Sequence, residues 1–213
     1  MIWKFHVRWT KPSVIAMALI CTATLTVTAS IAASGPYNEM PMYDSQPRPP
    51  SVVEADERFF AAVAASGLTR PQGSDQMVAL GWVYYSRKDY ATAMKRFNQA
   101  WLLDPDNGDS FQGFALVVME RDGDVAQAGA LFKQGFAKPR QSHRFFVGYG
   151  AFLLLANRPT EAVAPLQKAI AFPDVEPEAQ ALLTLAQGGA VDPKAVCAEM
   201  KKNGGTLSSC KDF

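Results

Sequence analysis

The chain has 213 residues, 48% of them hydrophobic, and its 21 basic and 20 acidic side chains give a formal charge of +1. That is enough material for one compact domain with short appendages. Lys4, Arg8 and Lys11 are the only charges of the first 33 residues, so 18 basic and 20 acidic side chains remain beyond them. This balance excludes the broad cationic face on which nucleic-acid binding depends.

Residues 1–33 have the layout of an export signal: a cationic start, "MIWKFHVRWTK", then the apolar "VIAMALICTATLTVTASIAA", then small residues suited to cleavage. Ser30 with Ala32, and Ala32 with Ser34, each present two small side chains at the spacing that a signal peptidase reads. The rival reading is an uncleaved signal anchor, because the stretch is just long enough to cross a hydrocarbon core of about 30 Å. Its second half is threonine-rich and weakly hydrophobic, which favours cleavage. Lipidation at Cys21 is disfavoured by the bulky Ile20 before it. Each reading makes the globular part exported, either periplasmic or anchored to the inner membrane and facing the periplasm, with membrane contact only through this segment.

Residues 34–50, "SGPYNEMPMYDSQPRPP", are crowded with prolines and lack helical or strand periodicity, so an extended linker is expected. Over 51–73 an N-terminal helix is expected. "SVVE" matches a capping box between Ser51 and Glu54, Phe59, Phe60 and Val63 give the helix an apolar side, and Gly67 suits its end.

From residue 74 the chain repeats itself. Leu80-Gly81, Phe114-Ala115 and Tyr149-Gly150 recur at nearly equal spacing, followed in each unit by Ala93, Ala128 and Ala162, by Phe97, Phe132 and Leu166, and by Ala100, Gly135 and Ala169. Helix stops recur too, at Pro105, Pro139 and Asp174 with Pro177. The second unit carries one extra residue between Asp122 and Val125. Leu80, Gly81, Tyr84, Ala93, Phe97, Ala100 and Pro105 together resemble the tetratricopeptide repeat, and the resemblance covers about residues 74–176. Departures are Met77 at the first tryptophan position, Ala115 and Val118 in the second unit, and Leu153 in the third. The resemblance implies an all-α fold, a short solenoid of about three helix-turn-helix repeats. Independently of it, a pair of helices cannot bury both its faces, so each pair must stack on the next, and Gly or Ala at the crossing lets backbones approach.

"EPEAQALLTLAQ" spaces Ala179, Leu182, Leu183 and Ala186 along one face, which suits a helix capping the repeat region 74–188. Residues 189–213 start a last helix at Asp192-Pro193. With Cys21 removed, Cys197 and Cys210 remain as a pair around the turn-like Asn203 to Gly205, and an exported compartment favours their disulfide over two inert thiols.

Helical spacing sends Met77, Gly81, Tyr84 and Phe97 into the first helix pair and Val78, Trp82 and Tyr85 onto a neighbouring face. In proteins resembling this one, that face lines a concave groove for a peptide or partner helix. The matching positions are Gln112, Leu116 and Met119, then Val147, Ala151 and Leu154, with Asp75, Ser86, Asp109, Glu120 and Arg144 as polar groups. The alternative is that Trp82 and Tyr85 pack on Phe59, Phe60 and Val63 of the N-terminal helix. Val78 and Trp82 stand where chaperone-tail-binding relatives carry a lysine and an asparagine for a terminal carboxylate, so a more apolar segment is the expected ligand.

Catalysis has little to work with. His143 stands alone beyond the signal, no Cys, Asp or Glu lies at metal-ligand or triad spacing, and no nucleophile elbow, P-loop or dinucleotide fingerprint occurs. "KPRQSHR", Lys138 to Arg144, reads as an inter-repeat loop rather than an anion patch. The expectation is a non-enzymatic interaction protein of the bacterial envelope, without cofactor, metal or nucleic acid, that holds a protein or peptide segment. The alternative is a structural subunit of a pilus, secretion or polysaccharide-export machine.

Overall fold

The computed structural model describes residues 37–45, 47–173, 177–189, 191–202 and Cys210. The export-signal segment, Asp174 and the turn from Asn203 to Gly205 lie outside the described residues. Among the described residues the chain is all-helical, with α1 (Pro50–Ala65), α2 (Arg70–Ser86), α3 (Tyr90–Leu103), α4 (Gly108–Val117), α5 (Val125–Phe136), α6 (His143–Leu155), α7 (Pro159–Ile170), α8 (Pro177–Gln187) and α9 (Pro193–Lys202).

Short polar residues set the helix starts. The side chains of Asp89, Asn107, Asp124 and Ser142 accept hydrogen bonds from the first free N–H groups of α3, α4, α5 and α6. Thr69 and Gln72 form a reciprocal capping box on α2. The box expected at Ser51 and Glu54 does not form: α1 starts at Pro50 with Pro49 as its cap residue, so Ser51 already lies in the first turn. Proline's fixed φ starts a helix without a side-chain cap. Gly67, at φ 76°, follows the end of α1 as expected.

The helices pack in consecutive pairs, α2 on α3, α4 on α5 and α6 on α7, and the first members also meet one another, α2 with α4, α4 with α6 and α6 with α8. The recurring small residues mark the crossings. A β-carbon on Gly81 would stand 2.4 Å from the ring of Phe97, and one on Gly150 would stand 2.5 Å from Leu166. Ala93, Ala100, Ala115, Ala128, Ala162 and Ala169 are fully buried, as are Phe97, Phe132 and Leu166. The α8 face of Ala179, Leu182, Leu183 and Ala186 is buried as its spacing predicts.

Two local features differ from expectation. The extra residue of the second unit is absorbed earlier, as a π turn over Val118–Asp122 that continues α4 and ends at Gly123 with φ 70°. Wider i to i+5 pairing takes up one residue without ending the helix. Residues 37–45, expected to be extended linker, instead form two short 3-10 turns, Tyr37–Glu39 and Pro41–Ser45, that rest on α3. Asn98 supplies the reason, because it hydrogen-bonds the backbone of this segment at three points.

Candidate functional site

On α2, Trp82 and Tyr85 are half-buried and pack edge to face, with ring centroids 5.4 Å apart. Trp82 also lies 5.1 Å from Phe97, and Tyr85 lies 5.6 Å from Tyr90. Rings in these tilted arrangements gain from their quadrupoles as well as from burial. The Phe59 and Phe60 rings face each other at 6.0 Å, Arg70 lies 4.2 Å above Phe60, and Val63 lies 2.9 Å from where a β-carbon on Gly73 would stand. Gly73 is about 13 Å along α2 from Trp82 at the helical rise per residue. The ring partners of Trp82 and Tyr85 are thus their own neighbours in α2 and α3.

Tyr85 has a buried hydroxyl without a hydrogen-bond partner among the described residues. Burial pushes its phenol well above the usual range, and the nearby Glu120 carboxylate and Tyr90 push it further. Tyr90 donates to Glu120 Oε2 over a long 3.5 Å. Both tyrosines are therefore neutral, and the buried Tyr85 hydroxyl is left without an acceptor among the described residues.

The row of expected groove residues divides sharply. Met119 and Val147 are half-buried, like Trp82 and Tyr85. Val78, Gln112 and Leu116 are each 8% exposed, and Ala151 and Leu154 are fully buried. These five residues are buried and present almost no surface. Gln112 explains how. Its amide lies over Gly148 of α6, 2.2 Å from where a β-carbon would be, and its Nε2 donates to the Arg144 carbonyl at 3.3 Å. A residue spaced to face outward on α4 is covered because α6 has a glycine there.

The expected polar groups also have other work. Asp75 accepts from Arg140 Nη1 at 2.7 Å, and Arg140 Nη2 reaches Asp104 at 2.6 Å, so the "KPRQSHR" loop ties α2 to the end of α3. Asn107 Nδ2 donates to Ser74 Oγ at 2.9 Å and to Asp75 at 3.2 Å, while Ser74 donates to the Ala100 carbonyl. Gly108 N donates to Arg140 O and Arg140 N to Asp106 O, a short two-way backbone link between loops. Asp109 accepts from Ser142 N at 3.0 Å; burial raises its carboxyl above the ordinary value, and that bond only partly offsets the effect. Ser86 donates to the Val83 carbonyl, and Arg144 is exposed. This polar ladder joins successive helix pairs.

Cys197 and Cys210 are disulfide-bonded with their Cα atoms 5.4 Å apart, and both are buried. Among the described residues no group of three His, Cys, Asp or Glu side chains could hold a metal ion, and no helix is long and apolar enough to cross a membrane. His143 is half-buried beside Phe172.

Sequence reasoning missed Asn98, Arg121 and Arg140. Asn98 carried a signal, since asparagine is a poor residue for the middle of a helix unless its side chain has a task. Compared with protein-family models, curated proteins and solved structures, the chain matches none.

Proposed function

We propose that this chain is a non-enzymatic protein-interaction module of the bacterial envelope, built as a short tetratricopeptide-like array. The observation that carries the reading is the uneven burial of one row of residues: Trp82, Tyr85, Met119 and Val147 keep exposed surface on successive first helices, while the residues between them are sealed. A large aromatic pair next to an adaptable methionine suits an apolar helix or extended segment. Val78, Gln112, Leu116 and Ala151 support this surface from beneath. Export is favoured by the layout of residues 1–33 and by the Cys197–Cys210 disulfide, a bond that persists in oxidising compartments.

The test is site-specific crosslinking in intact cells from a photoreactive residue at position 82, with a second probe at Arg87, which is exposed at the end of α2. The reading requires a protein captured from position 82 and not from 87, and lost when Met119→Ala is added. Equal capture from both positions, or none from either, rejects it.

A further inference from the structure

Residues 37–45 are held on α3 in the manner of a bound peptide. Asn98 is fully buried and spends its whole side chain on this segment: Oδ1 accepts from Met42 N at 2.8 Å, and Nδ2 donates to Asn38 O at 3.0 Å and to Met40 O at 2.8 Å. Such bonds grip backbone and place no demand on sequence. Charge supplies the selection. Lys95, one helical turn before Asn98, pairs with the Glu39 carboxylate at 2.9 Å. Arg121 donates to the Glu39 carbonyl at 2.9 Å from Nη1, while its Nε and Nη2 are fixed by Asp122 at 2.7 and 2.8 Å. Arg121 sits in the π turn, so the residue inserted into the second unit shifts this guanidinium in register.

The segment is also bound in a conformation that it would not keep alone. Met42 and Tyr43 have φ of 50° and 56°, a region that L residues with large side chains rarely adopt. Met42 packs against the core and Tyr43 is 5% exposed, so the site takes apolar side chains as well as backbone.

We infer that the surface formed by Asn98 and Lys95 of α3 together with Arg121 of the π turn is a peptide-binding site. Its ligand is a short turned segment with an acidic residue followed by apolar residues three and four positions later. Residues 37–45, with Glu39, Met42 and Tyr43, are its occupant and bind it as a separable ligand. Tethering gives the resident segment an effective concentration in the millimolar range, so it excludes weak competitors.

The test uses the full chain with a protease site inserted between Gln46 and Pro47, folded first and cut afterwards. A fluorescent peptide of residues 36–46 is added to cut protein freed of its own segment and to uncut protein. The site requires binding to the cut chain at least about tenfold tighter than to the uncut one. Asn98→Asp keeps the acceptor and the volume but loses both donor bonds, and weakens binding about tenfold or more. Lys95→Glu weakens it by about threefold to fivefold, and a peptide carrying Glu39→Lys recovers that loss. A cut chain that keeps its helical signal and melting transition yet does not bind the peptide, or binds a scrambled peptide equally well, overturns the inference. So does a Lys95→Glu chain that shows no preference for the charge-reversed peptide.

Discussion

The ring of Phe97 crowds the place where a β-carbon on Gly113 would stand, with ring atoms 2.4 Å from that position, and it does the same at Gly81. One phenylalanine of α3 is thus seated between glycines of α2 and α4, which brings three helices together at a single residue. Gly113→Ala should cost about 1–3 kcal/mol through overpacking. Adding Phe97→Leu should return part of that loss, and urea unfolding of the two single variants and the double variant reads the coupling. Simple additivity would mean that the two residues do not meet.

Asn107 caps α4 through the Asp109 N–H and also donates to Ser74 and Asp75. Asn107→Ala should therefore destabilise by about 2 kcal/mol, the sum of a lost cap and a lost buried hydrogen bond. Asn107→Asp is an equal cap in an isolated helix, but here it removes both donors and sets a second carboxylate beside Asp75. Chemical denaturation at neutral pH should find that aspartate does not rescue the alanine loss.

Burial raises the Asp109 carboxyl above its ordinary value of 3.8. In the window between the unfolded and folded values the native state holds more protons than the unfolded chain, so the group's contribution falls as pH rises. It is fully present only below the unfolded value. The stability of Asp109→Asn relative to wild type should therefore increase from about pH 3 to neutrality, whatever constant offset the substitution brings. Thermal melting across that range checks the sign, and a difference that shrinks with rising pH would contradict it.

The Cys197–Cys210 bond closes a loop of 13 residues in sequence separation. In the chain-entropy model, reduction or a Cys197→Ser/Cys210→Ser pair should cost about 3 kcal/mol. α9 buries Val196 and Met200 alongside Cys197, so its amides should lose hydrogen-exchange protection before those of α4 and α6.

Much of the helical architecture was legible in the residues. The recurrence of Ala93, Ala128 and Ala162 with Phe97, Phe132 and Leu166 located the buried crossings, because a fixed small-large pattern survives only where the same packing problem recurs. Helix stops and short polar caps were legible for the same local reason: capping is decided within three or four residues. The fate of the groove was not. Spacing on α2 and α4 gave Val78, Gln112 and Leu116 a shared direction, but what covers that direction is set by the next helix, and Gly148 of α6 is what lets Gln112 lie flat.

By itself, the sequence determined the helices, their order and the positions where their backbones approach, since all three follow from periodicities of a few residues. Tertiary structure alone decided which side chains of that row stay exposed and what the proline-rich segment does. Asn98 meets Asn38, Met40 and Met42 across 56 to 60 residues, and Arg121 meets Glu39 across 82. No local pattern encodes such pairs, because their energy appears only after the helices between them have packed.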